Sequence, residues 1–564
     1  MVDTSPSPAS ILSDEARDPD FKRSESLDAL FAWLDAPQPE NPADQLLFLQ
    51  THLATLHVGD AQPVERLIAL QNLFTRATEV VRHLLPGIVV TSLPVPKKTR
   101  RLVRSMQDVL RSLADDLMDL LPVNDTGWID NPQPAHELGL WQAMYAISLH
   151  LRLSMLIAAP PIPGIWQQLH QAYEIAFLSK IARNTPRNAP NSLQDLYFAT
   201  VLTGCVQPSS FNSVEVNFIA SYFDAFSNQI QVTTIGDPDN APSTFWVNPQ
   251  CDSAAFACNR KLPPPHSNAY YFSCLPLANL IQEHLKLLES GYPPKKIDLP
   301  EFAATLQGLG VLRRLVGYIG HPAKRRFPRR RQKSRRATLC VHFDSIWRLF
   351  QEDDDTLYES SLWMVINESP DGLALMHLSG KTGSITVGDL AAIRFESENA
   401  WQVCIVRWAA SESQENIEIG LQILADQATP TNIALQDENK RQVLLSALLL
   451  PCLPNAHPNE MLIAPSGSLQ KYTGDLVLVI EKGNVEIREV RKTSMDEQNS
   501  LIEIFSIAPQ EAPPAPVAVP TAAPTVTPAD TPVAIIPTDA PAVTPANAQA
   551  DAPPPQRETA QAQA

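Results

Sequence analysis

Between about residues 26 and 320, apolar side chains recur at three- and four-residue intervals, the spacing of amphipathic helices. The segment "PVERLIALQNLFTRATEVVRHLL" puts Leu67, Leu70, Leu73 and Phe74 on one stripe with its charges opposite. "KTRRLVRSMQDVLRSLADDLMDLL" repeats the theme with Leu102, Met106, Val109, Leu110, Leu113 and Leu117. Further helices are predicted from Leu140, Ile165, Ser192, Ser213, Cys274 and Glu301, punctuated by Pro and Gly. A stacked helical array fits this order, but no fixed period recurs and no named repeat is assigned. One β-like interruption, "QVTTIGDPDNAPSTFWV", lies near 230–247.

The period changes at about residue 337. "ATLCVHF" alternates Leu339, Val341 and Phe343 against Thr338, Cys340 and His342, the pattern of a half-buried strand. "SLWMVI", "GLALMHL", "SITVGDLAAIRF", "WQVCIVRWAA" and "IEIGLQIL" follow at short spacing, which predicts an antiparallel barrel or sandwich over 337–430. Residues 431–506 form a β-rich extension with a hairpin at Gly483-Asn484, either lengthening that barrel or making a small second one. Residues 1–25, rich in Ser, Pro and Asp, are expected to be disordered. So is the Pro/Ala/Thr tail over 507–564, which from Pro509 onward holds 14 of the 51 prolines and would serve as a solubilising tail or tether. The expected fold class is α+β multidomain: an all-α N-terminal half over 26–320, a basic hinge over 321–336, an antiparallel β-barrel, the β extension and the tail.

A length of 564 residues suits two to four domains, and 44% apolar residues suffice for ordinary cores. The net charge of −17 sets the chain as a whole against nucleic acid and anionic membranes. One run breaks that pattern. "HPAKRRFPRRRQKSRR", residues 321–336, holds nine Lys and Arg and no acid; taking those nine from the 44 basic residues leaves 35 against 61 acidic ones. The seven cysteines are odd in number and never spaced Cys-x-x-Cys, which points to a reducing compartment without a disulfide framework. The acidic N-terminus lacks a signal-peptide pattern. The most apolar stretch is broken by His150, Arg152 and a proline cluster, so no transmembrane segment is expected. These readings place the protein in the cytoplasm.

The basic run offers arginines four residues apart at Arg331 and Arg335, Arg325 and Arg329, and Arg326 and Arg330. A planar guanidinium matches a phosphate with two donors and stacks on a purine. Some 30 residues later, "VINESPDGLAL" places Asn367, Ser369 and Gly372 in a turn between strands. Asn367 can offer a donor and an acceptor to a base edge, Ser369 can bond backbone or ligand, and Gly372 allows φ > 0 or a close backbone approach to a ligand. Each feature alone also reads as a solvated polybasic linker or an Asx-type turn.

In combination, Arg-x-x-x-Arg before a first strand and Asn-x-Ser-x-x-Gly at the end of the next resemble the PilZ domain. "WQVCIVRWAA" followed by "NIEIGLQIL" is similar to that family's closing strands, and the resemblance covers roughly residues 325–430. It implies a six-stranded barrel that binds cyclic di-GMP. Arg331 and Arg335 would grip phosphates and stack on guanine, with Arg330 and Arg336 as second choices; Asn367, Ser369 and Gly372 would cradle a guanine. One departure is "DSIWRLFQEDDDTLYESS", an inserted loop or short helix that lengthens the usual separation; its Glu352, Asp353, Asp354 and Asp355 could compete for the arginines.

Other constellations carry less. Cys251, Cys258, His266 and Cys274 are seven and eight residues apart, wide for structural zinc. Asp115, Asp116 and Asp119 read as the solvated face of a leucine-rich helix, and His321 and His342 have no nucleophile beside them. Without a phosphate loop, dinucleotide fingerprint or nucleophile elbow, the chain reads as a non-enzyme. The expected function is a cyclic di-GMP receptor with no cofactor or metal. Its hinge would fold onto the barrel, change how the two halves dock, and act on motility, pili or biofilm through a protein partner of the helical half. The alternatives are a nucleic-acid-binding protein using the basic run and a ligand-free scaffold.

Overall fold

The structure is a computed structural model. It describes residues 25–36, 41–58, 62–122, 132–233, 242–324, 330–331, 335–352, 359–413, 415–436, 442–452, 459–469, 475–482 and 484–509. The expectations for the two termini, for Arg325, Arg326 and Arg329, for Asp353, Asp354 and Asp355, and for Gly483 fall outside these residues.

The N-terminal half is built of α1 (Glu25–Asp35), α2 (Pro42–Val58), α3 (Pro63–Val89), α4 (Lys97–Asp119), α5 (Pro134–Leu156), α6 (Ile165–Leu178), α7 (Leu193–Cys205), α8 (Ser213–Phe226), α9 (Leu275–Glu289) and α10 (Leu306–Leu315). Their sequences carry the start signals such helices need. Pro fills the first turn of α3 and α5, Ser192 accepts from the Asp195 amide, and Asn212 with Glu215 closes a capping box. The β-like interruption grows into a sheet of β1 (Gln231–Thr233), β2 (Thr244–Val247), β3 (Phe256–Ala257) and β4 (Tyr270–Ser273), in the order β1-β4-β2-β3. The half is therefore helical with a small sheet inserted. Only β1 and β2 lie in the region the sequence pattern marked; β3 and β4 are two and four residues long, too short to show a period.

Asp116 departs from the solvated face expected of its helix. It is 3% exposed and accepts from Arg66 Nη2 at 2.8 Å and pairs with His57 Nδ1 at 2.7 Å, tying α2, α3 and α4 together. A buried carboxylate is tolerated where it is paired in this way.

After a π-helical turn at Val316–Gly320 the chain enters two barrels. The first contains β5 (Arg330–Arg331), β6 (Arg336–Val341), β7 (Ser361–Ser369), β8 (Gly372–Gly380), β9 (Leu390–Phe395), β10 (Gln402–Ser411) and β11 (Ile417–Ala425). Antiparallel pairing runs β7-β6-β9-β10-β11-β8, and β8 pairs back to β7 to close six strands, with β5 attached to β7. Gly420 of the "EIGLQ" stretch is required by packing, since a Cβ there would run into the indole of Trp408. The β extension is a second closed barrel of β12 (Thr429–Gln436), β13 (Gln442–Leu450), β14 (Glu460–Pro465), β15 (Leu476–Lys482), β16 (Asn484–Gln498) and β17 (Ile502–Pro509).

Three joints fix these parts. An apolar core runs from the helical half into the first barrel through Leu339, Trp363, Val365 and Ile393. Arg100 of α4, only 8% exposed, donates to the Ser411, Glu412 and Ser413 carbonyls and to the Ser411 hydroxyl, and the Ser411 amide donates to the Ala158 carbonyl. The insertion between the arginines and Asn367 is helix α11 (Phe343–Glu352). Its Ile346 and Leu349 share a core with Leu448, Ile463 and Ile504 of the second barrel, and Trp347 Nε1 donates to the Thr431 carbonyl. Arg407 and Glu497 form a two-pronged ion pair across the same joint.

Candidate functional site

The site begins with strand register. Arg331 pairs with Asn367 and Arg330 with Glu368 along one edge of β7. Further along that edge the Val365 amide donates to the Arg335 carbonyl, and Arg336 pairs with Met364. The arginine arm and the Asn-x-Ser-x-x-Gly hairpin are therefore neighbours in the sheet. This follows from the alternation of β7, which must turn Trp363 and Val365 inward and so fixes which residues of the preceding strand lie opposite.

Each expected residue has a distinct position. Arg335 is held three ways: Nη1 on Glu368 at 3.1 Å, Nη2 on Glu398 at 2.8 Å, and the guanidinium carbon 3.5 Å from the ring centroid of Phe395. Arg330 and Arg336 are exposed, and for Arg331 the backbone pairing alone places it. Asn367 is half-buried and has no side-chain hydrogen bond among the described residues. Ser369 Oγ donates within the hairpin, to Asp371 Oδ1 at 3.0 Å or the Gly372 carbonyl at 3.2 Å.

Gly372 makes a close backbone approach inside the barrel itself. Its φ is not positive, and a Cβ there would stand 2.8 Å from the Leu421 carbonyl of β11. The glycine lets β8 and β11 close the barrel under the hairpin, with Ser369 Oγ 3.6 Å from the same point.

Among the described residues, Glu368 and Glu398 compete for an arginine. Glu368 adjoins Asn367 in the sequence and was within reach of the motif; Phe395 and Glu398 arrive through the pairing of Phe395 with Ala337, which no local pattern announces. Among lesser candidates, His342 sits at φ 76° before α11, and its Nδ1 lies 3.4 Å from the buried carboxylate of Asp389, whose hydrogen bond raises the imidazole pKa. Cys258 and Cys274 are buried thiols, pushed above the usual range by burial, and among the described residues they form no metal-holding group with Cys251 and His266. Among the described residues no helix is long and apolar enough to cross a membrane.

The arm also reaches the helical half. Asn259 Nδ2 donates to the Pro322 carbonyl at 2.8 Å and Arg260 Nε to the Ala323 carbonyl at 2.9 Å. The two ends of the basic run are thus fastened to different bodies, one to the small sheet and the other to the barrel edge.

A closed six-stranded antiparallel barrel, with an arginine arm on the strand that ends in Asn-x-Ser-x-x-Gly, has the features of a PilZ domain, and the chain carries that domain over residues 345–430. Residues 345–430 match the family model described as "Cyclic-di-GMP receptor FimW, middle PilZ domain", and residues 28–239 the one described as "Cyclic-di-GMP receptor FimW, N-terminal domain". Among curated proteins, the chain is similar to the cyclic-di-GMP receptor FimW of Pseudomonas aeruginosa, 21% identical over 490 residues that cover 72% of this chain and 78% of the relative. No solved structure matches. The middle-domain match includes Asn367, Ser369 and Gly372 and begins after Arg331 and Arg335.

Proposed function

We propose that this protein is a cyclic di-GMP receptor whose ligand seats between the arginine arm and the β7–β8 hairpin. The observation that carries the reading is the pairing of Arg331 with Asn367, which sets phosphate-binding and base-binding residue types side by side. Arg331 and Arg335 grip the two phosphates, with Arg330 and Arg336 at hand on the same arm. Asn367 offers its unengaged amide to a guanine edge, and Ser369 and Gly372 shape the hairpin beneath it. One face of the Arg335 guanidinium rests on Phe395, so its other face is the one a guanine stacks on.

Occupancy is passed on through the arm. The buried Arg100 contacts and the shared core favour halves that stay joined near Ser411, so the docking change is confined to the arm and its anchors at Asn259 and Arg260. A phosphate drawing on Arg331 and Arg335 tensions those anchors and reshapes the surface the helical half offers to a protein partner. The compartment is the cytoplasm, in keeping with the free cysteines, and the output is surface behaviour such as motility, pili or biofilm. The protein acts as a binder rather than an enzyme.

Calorimetric titration of the full chain with cyclic di-GMP tests this reading. Saturable binding that is lost in Arg335→Ala and in Ser369→Ala supports it. A steep salt dependence on RNA with no heat from the dinucleotide would favour the nucleic-acid alternative.

A further inference from the structure

A cavity of about 490 Å³ opens in the helical half between α1, α3, α5 and the segment around Asn188 and Pro190. It shares no residue with the arginine arm or the hairpin. One wall is aromatic: the rings of Trp141 and Tyr145 stack at 5.0 Å and 14°, and Phe74 meets them edge-on at 6.4 and 5.9 Å. Several polar groups of the wall are already used. Trp141 Nε1 donates to Asn191, Asn72 Nδ2 to the Ile68 carbonyl, and the Thr75 and Thr78 hydroxyls to carbonyls of their own helix.

Two further groups of the wall define what it could hold. Gln142 is 6% exposed and lines the cavity, and its Oε1 is buried with no hydrogen-bond partner among the described residues. Buried polar atoms are nearly always satisfied, and this orphan belongs to a side chain of the cavity wall, where a turn of the amide would bring it to an occupant. Arg82 stands on the rim of the cavity that Tyr145 also lines, and forms no ion pair among the described residues. The volume and the mixture of apolar walls with a few convergent polar groups are those of a small-molecule site.

We propose that this cavity binds a planar heteroaromatic monoanion carrying a ring N–H. The ring lies against Trp141 and Tyr145, the Gln142 amide turns its Oε1 out of the wall to accept from the N–H, and the acidic group meets Arg82. Asp35 on the same rim disfavours a second negative charge. The site is separate from the dinucleotide site and gives the helical half an input of its own.

The test uses the full chain bearing Arg335→Ala, which takes the arm site out of play, labelled with 5-fluorotryptophan. Indole-3-carboxylate and urate are the probes, and 1-naphthoate, which lacks the N–H, is the control. The expected result is saturable one-to-one heat with at least one probe and a shift of the fluorine signal that disappears in Trp141→Phe. Gln142→Leu and Arg82→Ala should each weaken binding about tenfold, as should the missing N–H of the control. Absence of heat and of a fluorine shift with both probes at millimolar concentration overturns the proposal, as does binding that both variants leave unchanged. Arg82 lies on the surface, so its variant keeps the test decisive if Gln142→Leu does not fold.

Discussion

The guanidinium of Arg335 lies flat enough over Phe395 to bring its carbon within 3.5 Å of the ring centroid, while Glu368 and Glu398 hold its nitrogens. The arginine is presented in a fixed place and is also occupied. A phosphate that takes it must displace two partly exposed carboxylates, and such ion pairs contribute about 0.2–1 kcal/mol each. Glu368→Gln and Glu398→Gln should therefore each tighten cyclic di-GMP binding by about 1.5- to 5-fold, read by calorimetry at fixed salt. Weaker binding in both would mean that the carboxylates help hold the ligand.

Arg335→Lys should fail to rescue binding. Lysine keeps the charge but loses the flat face that rests on Phe395 and the fork that spans two oxygens. An affinity about tenfold or more below wild type is expected, and near-native affinity would show that charge alone suffices.

Gly372→Ala should destabilise the barrel. The added Cβ would stand 2.8 Å from the Leu421 carbonyl, a contact the two strands relieve only by moving apart. A loss of about 1–3 kcal/mol, the usual range for overpacking, should appear in chemical unfolding. An unchanged midpoint would contradict the close approach.

The joint at Ser411 should hold through ligand binding. The Ser411 amide donates to the Ala158 carbonyl beside the buried Arg100, and hydrogen exchange should leave it equally slow with and without cyclic di-GMP. Faster exchange there on binding would mean that the halves part.

Burial holds the His150 imidazole down at about 4, with Arg111 adding to the effect. Its folded pKa lies below the unfolded value of 6.5, so the unfolded chain binds the extra proton first. His150 therefore lowers stability as pH falls from about 6.5 to about 4, by roughly 3 kcal/mol at the lower end. Urea unfolding across that range should show the loss in wild type and a smaller slope in His150→Leu. Equal slopes would place the titration elsewhere.

The long amphipathic runs were legible because each buries one stripe: Leu67, Leu70 and Leu73 lie inside α3, and Met106, Val109 and Leu113 inside α4. The barrel strands were legible for the matching reason, a two-residue period with one face inward. Asp116 was misplaced because its partners, Arg66 and His57, are some 50 residues away, and helix position alone does not reveal them. The arm and hairpin were legible as residue types at fixed offsets. Phe395 and Glu398 were not, since only the register of β6 against β9 carries them to Arg335. The conformation of Gly372 was likewise hidden, because the atom that excludes a Cβ belongs to β11, some 50 residues on.

The most direct test is titration of cyclic di-GMP into the wild-type chain alongside Arg335→Ala and Asn367→Ala. Arg335 lies beside β7, where its carbonyl accepts from the Val365 amide, and Asn367 lies within β7; under the proposed reading one meets phosphate and the other base. The account predicts saturable wild-type binding that falls sharply in both variants while their unfolding midpoints stay close to wild type. Wild-type silence, or full affinity with both side chains removed, would contradict it.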